Sequence, residues 1–194
     1  MNRLLYIVLL LLSPVLMAAD IEEPRWELID KLDQVELRRY APSIQAVTEL
    51  GSSAGTSSGF RLLAGSIFGG NERAQSIAMT APVHETLEKT RPVMAFNLPA
   101  EYTLEELPPP KEERGSLVEV PQRTVAAVRF SGWATGGKVA RMQRKLLATL
   151  ATHGIEAVGV PVLNQYNPPW TAPFLRRNEV SVEVVLGGDL AAAH

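Results

Sequence analysis

The side chains that could perform acid–base or metal chemistry are few and widely separated. Histidine occurs at His84, His153 and His194, cysteine is absent, and no two histidines have the spacing of metal ligands. The sequence contains neither a Gly-x-Ser-x-Gly nucleophile motif nor a His-Glu-x-x-His zinc motif. The lack of cysteine also excludes thiolate catalysis. We therefore identify no catalytic residue and expect a binding protein rather than an enzyme.

One glycine-rich segment, Gly132–Val139, resembles a nucleotide-binding P-loop in its glycines and in Lys138. A P-loop needs Ser or Thr after that lysine to coordinate magnesium, and this chain has Val139 there. The motif also requires a parallel sheet, whereas the strand pattern here favours an antiparallel one. We therefore interpret the segment as the entry to a helix.

Length and composition predict one globular domain. The chain has 194 residues, of which 46% are hydrophobic and 21% are charged, so it can bury a sizeable core. Its formal net charge is −2, and no basic arm is present. Nucleic acid is therefore not an expected partner.

The first nineteen residues have the pattern of a secretory signal peptide. Arg3 precedes the apolar run Leu4–Leu12, and small residues precede Asp20. The apolar run is shorter than the roughly 20 residues that a membrane span needs. We therefore expect residues 1–19 to be removed and the domain 20–194 to be periplasmic or secreted. An uncleaved leader that anchors the protein in a membrane is the alternative.

The elements after the leader are expected to form two similar halves, about 24–103 and 115–186, joined by the Pro-rich connection 104–114. Each half contains strands with apolar alternation and one helix. Strands are predicted at Trp26–Ile29, Val35–Tyr40, Ile44–Leu50, Ile77–Val83, Val93–Leu98, Val118–Val120, Val125–Phe130, Ala157–Leu163 and Val180–Leu186.

Two helices complete these halves. The first follows a flexible loop, Gly51–Gly59, is capped by Ser57 or Ser58, and ends at Gly69-Gly70. The second covers about Gly137–His153. The first helix has an apolar stripe at helical spacing, formed by Phe60, Leu63, Ala64, Ile67 and Phe68.

Several ordered motifs resemble the SOUL haem-binding protein family. The clearest is Tyr166-Asn-Pro-Pro-Trp170 followed by Arg176-Arg-Asn-Glu-Val180. The others are Val35-Glu-Leu-Arg-Arg-Tyr40, the helix from Gly59-Phe60 to Gly69-Gly-Asn71, Ile77-Ala-Met-Thr-Ala-Pro-Val83, and Phe130-Ser-Gly132. The resemblance extends from about Pro24 to Val185 and implies an α+β fold, with a mostly antiparallel, barrel-like sheet flanked by two helices.

The resemblance also implies a ligand, namely haem or another tetrapyrrole held non-covalently. In one branch of the family a histidine before the tyrosine of the Glu-Leu-Arg-x-Tyr motif ligates the iron. Here that position is Arg39, which is not a metal ligand. Other members use an apolar groove beside the first helix, and this chain resembles them more closely.

This groove predicts the ligand-binding residues. Phe60, Leu63 and Ile67 would contact the macrocycle, and Arg39 or Arg61 would pair with its carboxylates. Two further residues are candidate ligands of the iron. Met79 would supply a soft thioether, and His84, an outside candidate, would supply an imidazole. Ordinary core packing is the competing interpretation, and it is favoured for at least two of the three stripe residues.

Three function classes remain open at this point. The first is a tetrapyrrole carrier, scavenger or sensor. The second is an effector-binding or interaction module that takes a different small amphipathic ligand without haem. The third is an enzyme that acts on a porphyrin or an ester.

The proline-stiffened loop also carries a structural prediction. Trp170 and Phe174 are large apolar side chains on a segment that leads directly into a strand. We expect both to be buried as a plug at one end of the sheet.

Overall fold

A computed structural model describes residues 21–51 and 55–186. The predicted leader, residues 52–54 of the Gly- and Ser-rich loop, and His194 lie outside the described residues. Within the described residues, no helix is both long and apolar enough to cross a lipid bilayer.

The described chain has nine strands and two α-helices. The strands are β1 Trp26–Leu32, β2 Val35–Tyr40, β3 Ser43–Glu49, β4 Val83–Thr86, β5 Val93–Asn97, β6 Gly115–Val120, β7 Arg123–Phe130, β8 Glu156–Gln165 and β9 Asn178–Val185. The helices are α1 Thr56–Ile67, between β3 and β4, and α2 Gly136–Thr152, between β7 and β8. A turn of 3₁₀ helix, Pro173–Leu175, precedes β9.

The strands form one curled, antiparallel half-barrel in the order β1-β2-β7-β9-β8-β4-β5-β3-β6. The order is symmetric about the β8–β4 pair, since β9, β7 and β2 follow on one side and β5, β3 and β6 on the other. Two strands cross between the halves: β2 of the first half pairs with β7 of the second, and β6 of the second half pairs with β3 of the first. The α+β class and the antiparallel, two-helix architecture predicted from the sequence are therefore confirmed.

Strand register places both helices on the same face of this sheet, which we call the outer face. Val83 is paired with Phe96, and Leu163 with Val180, so the side chains beneath α1 and α2 point the same way. Leu63 and Ile67 of α1 pack with Met94 and Phe96. The alternate side chains point to the opposite, concave face, which we call the inner face.

The ends of α1 differ slightly from the predicted ones. The helix begins at Thr56, and its cap residue Gly55 makes no side-chain hydrogen bond to the helix. Ser58, one of the two predicted caps, instead donates its hydroxyl to the Gly55 carbonyl at 2.8 Å. At the other end the Gly70 amide donates to the Gly65 carbonyl at 2.8 Å, and Gly69 has a φ of +100°. The predicted glycine stop is therefore confirmed, while the predicted serine cap is wrong.

The strand predicted at Ile77–Val83 is also wrong for most of its length. The Ile77 amide donates to the Ile67 carbonyl at 2.7 Å, and the Ala81 amide donates to the Glu22 carbonyl at 2.9 Å. These donors are therefore used outside a sheet, and Pro82 has no amide hydrogen to contribute. The ladder consequently begins only at Val83.

Candidate functional site

The N-terminal segment 21–25 crosses one end of the half-barrel. The Ala100 amide donates to Glu22 Oε1 at 2.9 Å, and Glu23 forms an ion pair with Arg177 at 2.6 Å. Pro24 follows Glu23 and precedes Arg25, whose carbonyl accepts from the Ala41 amide at 3.0 Å, so its backbone is held on both sides.

A large cleft opens beside this segment, and we call it the end cleft. It has a volume of about 720 Å³, within the range of small-molecule sites. Its walls come from the segment 22–25, the β2–β3 turn, the loop 97–105 and the β6–β7 turn. Its apolar lining includes Pro42, Ile44, Leu98, Pro99, Tyr102, Leu104, Val120 and Pro121. Arg25 lines the same cleft, together with the carboxylates of Glu22, Glu23, Glu105 and Glu119.

A smaller cleft of about 150 Å³ lies on the inner face, and we call it the inner cleft. Pro24, Ser43 and Asn97 line both clefts, so the two adjoin. The end cleft therefore meets the inner face at these three residues.

A continuous row of hydrogen-bonded side chains crosses five neighbouring strands on the inner face. Gln45 on β3 donates to Asn97 on β5 at 3.1 Å, and the Asn97 amide lies 2.6 Å from His84 Nε2 on β4. His84 Nδ1 lies 2.7 Å from Asn164 Oδ1 on β8, and Asn164 Nδ2 donates to Ser181 Oγ on β9 at 2.8 Å. Each member therefore donates to the next, from β3 to β9.

This row fixes the state of His84. Nε2 faces an amide N–H and accepts, so Nδ1 carries the hydrogen and donates to Asn164. Burial lowers the pKa of His84 to about 4; the Asn164 hydrogen bond opposes this shift, and the nearby charge of Arg123 adds to it. His84 is therefore neutral at physiological pH, and its one lone pair is already used. Ligation of iron would require the Asn97 hydrogen bond to break.

A buried ion pair lies on the same face beside the row. Arg38 on β2 and Glu179 on β9 are 3% and 1% exposed, and their side chains are 2.8 Å apart. Tyr166 donates its hydroxyl to Glu179 at 2.9 Å, and the Arg38 guanidinium lies 4.3 Å from the Trp26 ring centroid. Burial opposes the charge of Glu179, but Arg38, Tyr166 and Arg177 together outweigh it and hold the pKa of that carboxyl below its usual value. The cluster is internally neutralised and joins β2 to β9.

The residues predicted to form a groove beside α1 do not all lie at one accessible surface. Leu63 and Ile67 are 1% and 3% exposed in the core beneath α1. Phe60 is 40% exposed and packs edge-on against Phe96 at 5.4 Å. Arg61 is exposed on the same helix. Neither the end cleft nor the inner cleft is lined by α1.

The other predicted ligand contacts are separated from α1. Arg39 lies on β2, between β1 and β7, whereas α1 packs on β3 and β5. Met79 is partly buried against the core beneath α1. His153 is the C-terminal cap of α2, and its Nδ1 lies 2.9 Å from the Thr149 carbonyl oxygen. The described residues contain no cluster of three or more His, Asp and Glu side chains that could hold a metal ion.

The prediction that Trp170 and Phe174 plug the sheet is wrong. They are 84% and 77% exposed. The loop is held instead by Arg176, which donates to the carbonyls of Thr171 and Pro169, and by Asn167, which accepts from the Arg177 amide. Because the backbone is fixed by polar contacts, the aromatic side chains are not needed as a plug and point outwards.

Sequence reasoning did not identify two arginines of the inner face, Arg38 and Arg123. The alternation in β2 carried the relevant signal, since buried Val35 and Leu37 on one face place Glu36, Arg38 and Tyr40 on the other. Arg123 begins β7 immediately after a turn, and its sequence context gives no comparable signal.

Comparison with known proteins identifies one family. Residues 21–183 match the family described as SOUL heme-binding protein. No curated protein sequence matches the chain significantly.

Solved structures of low sequence identity share the fold. The C-terminal domain of EcmrR superposes with a TM-score of 0.61 at 12% identity, covering 78% of this chain and 97% of that domain. A structure described as a hydrolase from Listeria innocua gives 0.54 at 9% identity, covering 78% of this chain and 92% of the other. At these identities the likeness shows the fold alone.

Proposed function

This chain belongs to the SOUL haem-binding protein family, and on that premise we propose that it is an exported protein that binds haem or another tetrapyrrole non-covalently. Its role would be that of a carrier, scavenger or sensor. A binding role agrees with the scarcity of side chains for acid–base or nucleophilic chemistry.

The end cleft is the proposed site, and its size is the observation that carries the proposal. At about 720 Å³ it is several times larger than the inner cleft and suits a ligand with a large apolar surface. Prolines, aliphatic side chains and Tyr102 form much of its wall. Burial of a macrocycle against these groups would supply most of the affinity.

The residues of the end cleft fit a tetrapyrrole in two respects. The apolar wall suits the ring, and Arg25, which forms no ion pair within the described chain, suits a carboxylate at its edge. Glu22 and Glu23 are already engaged by the Ala100 amide and by Arg177. A bound haem would add redox-active iron, while these residues bury and orient it.

No His or Met lines the end cleft, and we propose that Tyr102 packs against the ring and does not ligate the iron. Affinity would come from apolar burial and carboxylate pairing alone. We therefore expect micromolar rather than nanomolar binding, a difference of about 4 kcal/mol, with a broad Soret band.

The test is a haemin titration that compares the end cleft with α1. Ala100 is an exposed residue that lines the cleft, and Ala100→Trp should fill part of it. We expect affinity to fall at least about tenfold, which corresponds to 1.4 kcal/mol. The matched variants Phe60→Ala and Arg61→Glu on α1 should bind like the wild type. The opposite pattern would place the ligand beside α1, as the family resemblance suggested.

The export part of the proposal rests on the sequence of residues 1–19. Intact mass of protein from the native host should correspond to a chain that begins near Asp20. Retention of the leader in a membrane fraction would instead support an anchored protein.

A second function is favoured by the polar floor of the inner cleft. A row of oriented amides beside neutral His84 suits a smaller and more polar ligand than a macrocycle. An effector-binding module without haem is therefore the competing proposal. The absence of any Soret band on addition of haemin would favour it.

A further inference from the structure

Arg123, the first residue of β7, lines the inner cleft without a counter-ion. Its Nε is buried and has no hydrogen-bond partner, and the side chain takes part in no ion pair within residues 21–51 and 55–186. The two other arginines of this region are paired, Arg38 with Glu179 and Arg177 with Glu23. Arg123 is therefore unusual among its neighbours.

The charge of Arg123 acts inside the cleft. It is one of the influences that lower the pKa of His84, after burial, and it also acts on the phenol of Tyr40. The one carboxylate among the lining residues belongs to Glu183, which is exposed at the rim and forms no ion pair with Arg123. A cation without local neutralisation thus faces a partly enclosed space.

The floor of the cleft adds hydrogen-bond donors. Ser181 Oγ accepts from Asn164, which leaves its own hydroxyl hydrogen available. Asn97 and Asn164 each use one amide hydrogen within the polar row and retain another. His84 has both nitrogens engaged, so its imidazole presents no free lone pair to an anion. Such a surface suits an anion.

The small volume of the inner cleft limits the size of the anion that it can hold. A volume of about 150 Å³ compares with about 30 Å³ for one water molecule in the liquid, so a group of only a few non-hydrogen atoms fits. A carboxylate matches a guanidinium in a planar, two-bond geometry.

We propose that the inner cleft is a carboxylate-binding site in which Arg123 binds the anion and Ser181 and the two asparagines supply further donors. The carboxylate has two possible sources. One is a free small organic acid. The other is a carboxylate arm of a tetrapyrrole seated in the end cleft, which adjoins at Pro24, Ser43 and Asn97. The second source rests on the function proposed above.

The first arm of the test uses sodium acetate and sodium propionate, with sodium chloride at equal ionic strength as the reference. Side-chain ¹⁵N–¹H signals of Arg123, Asn97 and Asn164 should shift saturably with either carboxylate but not with chloride. Arg123→Gln should abolish these shifts. Arg129→Gln is the matched control, because Arg129 lies on the same strand but does not line the cleft, and it should bind like the wild type.

The second arm uses protoporphyrin IX and its dimethyl ester. If the tetrapyrrole supplies the carboxylate, the wild type should prefer the free acid, and Arg123→Gln should reduce that preference about tenfold, or 1.4 kcal/mol. Equal binding of acid and ester, together with saturable acetate shifts, would assign the site to a free small acid.

Two controls keep the outcome interpretable. Thermal unfolding of Arg123→Gln shows whether the fold is retained, and Arg123→Lys, which keeps the charge but loses the two-bond geometry, should bind carboxylate at an intermediate level. The proposal is overturned if folded Arg123→Gln leaves both the acetate shifts and the acid–ester preference unchanged. That result would not affect the end-cleft proposal, since Ala100→Trp decides it separately.

Discussion

The two faces of the half-barrel use the same strands for different purposes. The outer face is covered by α1 and α2 and is filled with aliphatic side chains such as Leu63 and Leu146, which are 1% and 0% exposed. Neither α1 nor α2 covers the inner face, which carries a hydrogen-bonded row, a buried ion pair and the inner cleft, with the end cleft adjoining it. In this protein the apolar stripe of a helix marks the core, while the inner cleft is lined by strand residues that face away from the helices.

The largest effect should follow from loss of charge balance on the inner face. Glu179→Gln keeps the shape of the side chain but leaves Arg38, which is 3% exposed, with only the partly exposed Glu36 as a partner. We expect a loss of about 3–5 kcal/mol in the free energy of unfolding in urea.

The matched control for this variant is an exposed ion pair. Glu49→Gln removes the partner of Arg91, and both side chains of that pair are largely exposed. Its expected cost is below about 1 kcal/mol. Equal effects of the two variants would show that the Arg38–Glu179 pair is not buried as described.

The next effect concerns the outer face. Leu63→Ala leaves a cavity beneath α1 and should cost about 3 kcal/mol, whereas Phe68→Ala, at a residue that is 61% exposed, should cost much less. Both can be measured by urea unfolding. If Leu63 serves only in core packing, the folded Leu63→Ala protein should bind haemin with unchanged affinity. A large loss of haemin affinity at unchanged stability would instead place Leu63 in the haemin-binding site.

A smaller effect should appear in the pH dependence of stability. The folded-state pKa of His84 is about 4, below the ordinary value of about 6.5 expected after unfolding. Between these values the unfolded state binds more protons, so stability falls as pH falls. From about pH 7.5 to about pH 5 the contribution is about 2 kcal/mol.

Two variants isolate this contribution. His84→Asn should show a correspondingly weaker loss of stability on acidification. Arg123→Gln removes a charge that lowers the pKa of His84, so it should also flatten the profile. Identical pH profiles for the wild type and His84→Asn would contradict the neutral, buried assignment of this imidazole.

The smallest effect is expected at the exposed aromatic loop. Trp170→Ala should change stability by no more than about 0.5 kcal/mol, because the side chain is 84% exposed. Trp26→Ala is the comparison, since Trp26 stacks beneath Arg38 and beside Tyr40, and it should cost at least about 1 kcal/mol. A cost of several kcal/mol at Trp170 would restore the plug that the sequence suggested.

The fold was largely predictable because its signals are local. Apolar alternation identified β2 and β7 within a few residues, and the stripe from Phe60 to Phe68 identified α1. The errors arose where backbone groups bond to distant partners. Ile77 and Ala81 alternate like strand residues, yet their amides donate to α1 and to the N-terminal segment.

The site was less predictable because it depends on strand order. Arg38 and Glu179 are separated by 141 positions and meet only because β2 and β9 both lie beside β7. Gln45, His84 and Ser181 likewise form one row only in the folded sheet. No local pattern shows such a juxtaposition, whereas the stripe of α1 is visible in any helical projection and therefore attracted the site prediction.

The most direct test of the account is to locate bound haemin by paramagnetic NMR. Ferric haemin broadens amide signals near its iron, and diamagnetic zinc protoporphyrin IX provides the reference. Binding in the end cleft predicts selective broadening at residues 42–44, 97–100, 102–105 and 119–121, which line it, with the signals of α1 retained. Broadening centred on Thr56–Ile67, with the end-cleft signals retained, would contradict the account and return the site to the surface of α1.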